Sequence, residues 1–182
     1  MLSGTACTIP SMNSILVNLF RHHRWANERM FEVCLPLTDA QLATEITGTY
    51  GRVDQTLLHL AAGEGGYLHW LTGWTPPEGY GLGEGVSFPG VPLLLERVRM
   101  TGDALIEVAR ELPADRVLTD EEGRAIPAWV VLLQAPHHAT EHRQQIATML
   151  THLGIEPPEP DLWTFNEARE RGEVVAEPSP GH

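Results

Sequence analysis

Apolar positions recur along this chain with the spacing of helices, in four separate stretches. In the first, from about Ser11 to Cys34, Leu16, Leu19, Phe20, His23, Asn27, Met30 and Cys34 share one stripe at about 100° per residue. Arg21, Arg24, Glu28 and Glu32 fall on the opposite face, and Pro36 stops the pattern. The second stretch runs from about Arg52 to Thr72 through LLHLAAGEGGYLHWL. The third follows Pro89 and Gly90, places Pro92 in its first turn and turns Leu94, Val98, Thr101, Leu105, Val108 and Leu112 inward before Pro113 ends it. The fourth runs from about Pro127 to Leu153, with Gly154 as a C-terminal stop. The segment Gly73 to Val91 is long and rich in Gly and Pro, so it can cross over a bundle end. DRVLTDEEGRAI reads as a short β-hairpin turning around Asp120 to Gly123, and DLWTFNEARERG from Asp161 as one short helix. The expected fold is all-α: a four-helix bundle with a long crossover between its second and third helices, plus a short β-hairpin and a small C-terminal helix.

Composition narrows the class. A chain of 182 residues is one domain of about average size, long enough to bury a core unaided. With 42% hydrophobic and 20% charged residues it is neither disordered nor collagenous. The formal charge of −12 argues against nucleic acid and anionic membranes as partners. All 12 basic residues are Arg, which removes Schiff-base and Walker-lysine chemistry. Cys7 and Cys34 form no framework, no apolar run reaches the ~18 residues of a membrane span, and Met1 to Pro10 lacks a secretory pattern, so a cytoplasmic location is expected.

Candidate chemistry concentrates on the fourth helix, in HHATEHRQQI from His137. His138 and His142 are four apart, about 40° around the helix, a spacing that lets two imidazoles chelate one metal. Val131 lies seven residues before His138 and Met149 seven after His142, so the pair continues an apolar stripe toward the interior. Two core histidines satisfied by hydrogen bonds fit the same pattern. The protease motif H-E-x-x-H is absent, because Ala139 stands where its Glu belongs. A third ligand is expected from another helix, and the second helix offers His59 on a stripe with Gly63, Gly66 and Trp70. Two mid-helix glycines cost about 1 kcal/mol each relative to Ala, so this stripe serves either a pocket beside His59, walled by Trp70, or close helix packing. His23 and Asn27 interrupt the first apolar stripe and need partners: they orient ligands or substrate, or they tie that helix to a neighbour. Gln145, seven residues after His138, shares its face and is expected near the site or packed on a neighbouring helix.

Arg24-Trp25-Ala26-Asn27, Thr56-Leu57-Leu58-His59-Leu60 and His138-x-x-x-His142-Arg143-x-Gln145-Ile146 together resemble the DinB/YfiT-like metalloenzymes. The resemblance spans most of the chain, and its last motif is the most specific. Gln144 stands where the family commonly has Gly. The resemblance implies a DinB-like bundle over residues 12–172 between tails 1–11 and 173–182, with His59, His138 and His142 as ligands of one divalent metal (Zn, Ni, Fe or Mn). It also implies a homodimer, and a low-molecular-weight thiol as co-substrate with a small-molecule electrophile. The expected function is metal-dependent thiol transfer. The alternatives are a metal-dependent hydrolase and a non-catalytic, stress-related metal or small-ligand binding module.

Overall fold

The computed structural model describes residues 12–82, 85–113 and 115–174. Cys7 with the whole expected N-terminal tail, and all but the start of the C-terminal one, lie outside them. Four long helices dominate: α1 (Met12–Cys34), α3 (Val53–Thr72), α4 (Val91–Glu111) and α5 (Ala128–His152). Between them lie a single-turn helix α2 (Asp39–Leu42) and the hairpin β1 (Val117–Thr119) with β2 (Ala125–Pro127), and α6 (Leu162–Glu170) follows. The all-α bundle with a hairpin is thus what the periodicity predicts, to within a residue or two at each long helix end.

Only α2 was not expected. Its signal is local: Thr38 caps the helix by accepting from the Gln41 N–H, while the Gln41 side chain accepts from the Thr38 N–H. In the hairpin, Leu118 pairs with Ile126, and Asp120 Oδ1 fixes the turn by accepting from the Glu122 and Arg124 amides. Gly73 ends α3 in the left-handed region, at φ 74°.

The core is divided along the bundle axis. One apolar cluster joins the end of α1 (Met30, Phe31, Cys34), the starts of α3 (Val53, Leu57, Leu60) and α4 (Leu94, Val98), and the end of α5 (Ile146, Met149). The other joins the start of α1 (Phe20), the ends of α3 (Leu68, Leu71) and α4 (Leu105), and the start of α5 (Leu132). Because α3 and α4 both start at the first cluster, they run parallel, and the link from Gly73 to Gly90 must carry the chain back along the bundle. Each helix touches two others around the square: α1 packs on α4 and α5, and α3 packs on the same two. Between the clusters lies a buried polar layer of His23, Asn27, Glu64, Arg97, Thr101, His142 and Arg143. Among the described residues no helix is long and apolar enough to cross a membrane.

Candidate metal centre

Antiparallel packing of α3 on α5 brings His59 level with His138 and His142. Gly63 makes the approach close enough: a Cβ at that position would lie 2.7 Å from His138 Cε1. The three ring centroids stand 4.4 to 4.9 Å apart. His138 Nε2 and His59 Nε2 face each other at 3.0 Å, and one ring nitrogen from each of the three residues lies within 4.8 Å of the others.

Two nitrogens each about 2.1 Å from a single ion stand roughly 3.0–3.4 Å apart, so the facing pair has the separation of neighbouring ligands. Without an ion, two facing imidazole nitrogens must share one proton. Burial pulls the His138 imidazole down to about 4, with help from the His142 and His59 rings, and burial likewise lowers His59. Both rings therefore stay neutral at pH 7, the state in which imidazole binds a metal.

The third ring is oriented from outside. Gln145 Oε1 lies 3.0 Å from His142 Nδ1 and accepts from the backbone N–H of Tyr50 at 3.1 Å. The backbone donor fixes this atom as the amide oxygen, so His142 Nδ1 carries the proton and Nε2 keeps its lone pair. Tyr50 also stacks face to face on His59, at 3.9 Å and 18°, and meets His142 edge-on. Tyr67 packs its ring edge-to-face with His138.

His23 and Asn27 are engaged elsewhere. His23 Nε2 donates to Glu64 Oε1 at 3.2 Å, and Asn27 Nδ2 donates to Glu64 Oε2 at 3.0 Å, across the bundle from α1 to α3. Arg143 completes the set, donating from Nη1 to Asn27 Oδ1 at 2.6 Å and from Nη2 to Thr140 Oγ1 at 2.8 Å. Burial draws the Arg143 guanidinium down to about 10, while Glu64 opposes the shift. Arg97, 3% exposed, lies against Gly65 and under the Trp74 ring at 4.2 Å. Arg143 adjoins His142, so this network is anchored on α5 one residue from the imidazole.

The remaining sequence-selected residues scatter. Gly63 admits the His138 ring rather than an open space. Gly66 is exposed, with nothing near its missing Cβ. Trp70 is exposed, and the cavity beside His59 has Tyr50 in its lining where the sequence reading had put Trp70. That cavity, about 570 Å³, opens between α3 and the crossover link. Sequence reasoning missed Tyr50, Glu64 and Arg97. Glu64 carried one usable signal, a charge lodged among three glycines of a helix whose other charged residues are few.

The model of the DinB family matches residues 12–173. A search among curated proteins gave no match. Together, the family match and the three-histidine group fit a metal-dependent protein.

Proposed function

Because the chain belongs to the DinB family, we propose that it is a metal-dependent enzyme joining a low-molecular-weight thiol to an electrophile. The observation that supports this most directly is the convergence of His59, His138 and His142 from two helices, with ring nitrogens within 4.8 Å. These residues would hold the ion. Three imidazoles leave coordination positions open, the composition of a catalytic rather than a structural site. When bound, a divalent ion at such a site lowers the pKa of a thiol or a water to near neutrality.

The protein's own residues do the rest. Gln145 holds the His142 proton on Nδ1. Tyr50 covers one face of His59. The Cys34 thiol is buried in the apolar cluster and pushed up to about 12 by desolvation, so the reacting sulfur comes from a second molecule. In the reaction the thiolate sulfur forms a bond to carbon, the leaving group departs with its electron pair, and the thiol proton passes to solvent.

The test loads the protein with Zn, Ni or Mn and supplies bacillithiol, mycothiol or glutathione with monochlorobimane. Conjugation faster than the protein-free rate, and lost in His142→Ala, supports thiol transfer. Metal-dependent hydrolysis without any thiol-dependent gain moves the assignment to a hydrolase. Metal binding without either activity makes the protein a binding module.

A further inference from the structure

The cavity beside His59 is an open groove lined from two elements of the fold. From α3 come Leu58, His59 and Ala62, and from the crossover link come Leu82 and Val86. Tyr50 closes the side next to the imidazoles, stacked on His59. His59 belongs to both the cavity and the histidine cluster, so a molecule in the cavity rests against a ring of the cluster. At about 570 Å³ the space matches a small organic ligand.

Its described lining is uncharged. Four lining residues are aliphatic, the polar groups are the Tyr50 phenol, the Gln55 amide and the His59 ring, and among the described residues that line it none is charged. An anionic ligand would lose its hydration there without gaining a cation, inside a chain of net charge −12. We infer that this cavity binds the body of an uncharged, largely apolar molecule, beside rather than within the histidine cluster. Resting on the transferase reading, that molecule is the electrophile, and the charged thiol approaches from elsewhere. Val86 and Ala62 then set the choice of substrate.

The test separates the two readings by measuring binding without turnover. Uniformly 15N-labelled, metal-free protein is titrated with 1,3-dinitrobenzene and with 3,5-dinitrobenzoate, two unreactive rings that differ by one carboxylate. The expected result is at least about tenfold tighter binding of the neutral ring, with the largest amide shifts at Leu58, Ala62 and Val86. Ala62→Phe should weaken that binding at least tenfold. Val86→Arg, at a position exposed enough to keep the fold, should reverse the preference toward the benzoate. Equal binding of both rings, shifts elsewhere in the protein, or no change in either variant overturns the inference. Discrimination in the cavity with no thiol conjugation by the metal-loaded protein leaves the binding site standing and removes the transferase.

Discussion

Two groups of histidine-bearing polar residues sit at the middle of the bundle, and they are built on opposite plans. Around Glu64 the carboxylate gathers the donors: His23 and Asn27 each donate to one of its oxygens, and Asn27 accepts from Arg143, while His23 Nδ1 and two Arg97 nitrogens have no hydrogen-bond partner among the described residues. Negative charge meets positive, and the group is almost wholly excluded from water. Around His59 three imidazoles crowd together with no carboxylate among them, and among the described residues the facing nitrogens of His59 and His138 have only each other. The first arrangement contains its own cations. The second needs one from outside. The lesson is that histidines gathered without a carboxylate point to a cation from outside, whereas a histidine paired with a carboxylate does not.

Removing the Glu64 carboxylate should break the first group hardest. Glu64→Ala strands Arg143 and Arg97 in the core, a loss of about 3–5 kcal/mol, or roughly 10 °C in melting temperature for a domain of this size. His142→Ala should show the reverse pattern, abolishing bound metal by elemental analysis while lowering the melting temperature of the metal-free protein by less than Glu64→Ala does. A Glu64→Ala protein as stable as the parent would erase the contrast.

Smaller effects sharpen it. Gln145→Ala frees the His142 tautomer and the Tyr50 amide together, and should weaken metal affinity about 10- to 100-fold by competition titration. Unchanged affinity would make Gln145 a packing residue. Gly63→Ala should act on the same site by space alone. The new methyl pushes His138 off its rotamer, at about 0.5–1.5 kcal/mol, or roughly 2- to 10-fold in metal affinity, with little effect on the Glu64 network.

Acid gives the mildest probe. His138 and His59 stay neutral in the folded metal-free protein below the ordinary histidine value of 6.5, whereas in the unfolded chain they take up protons there. The unfolded state then binds more protons, so stability is full above about 6.5 and falls as pH drops toward about 4. Thermal melts at pH 7 and pH 5 should show a modest decrease that His138→Gln reduces. A pH-independent melt would mean that the rings are better solvated than their burial indicates.

The helices were legible because each long element repeats its apolar residues with one period and ends at Pro or Gly, as Pro36, Pro113 and Gly154 do. The histidine pair on α5 was legible for the same reason, since i and i+4 share a face whatever lies opposite. Partners on different helices were not. Nothing within α1 says that His23 and Asn27 meet Glu64, because that meeting depends on which helices stand diagonally across the bundle. Tyr50 escaped notice because it lies in a turn, where no periodicity operates. The stripe through Gly63, Gly66 and Trp70 shows the opposite failure. The residues do share a side of α3, but only Gly63 lies where α5 packs, and Gly66 and Trp70 face outward.

The parallel course of α3 and α4 has a consequence for how this molecule can vary. A 20-residue helix is about 30 Å long, a distance that roughly nine extended residues can span. The link from Gly73 to Gly90 has about twice that number, so half of it is slack that topology does not require. That slack supplies Leu82 and Val86 to the cavity wall and Trp74 to the face of Arg97. The histidines, by contrast, stand on α3 and α5, whose spacing the core dictates. A chain with this division can have its link redrawn, residue by residue, while the cluster that would hold the ion stays where the helices put it.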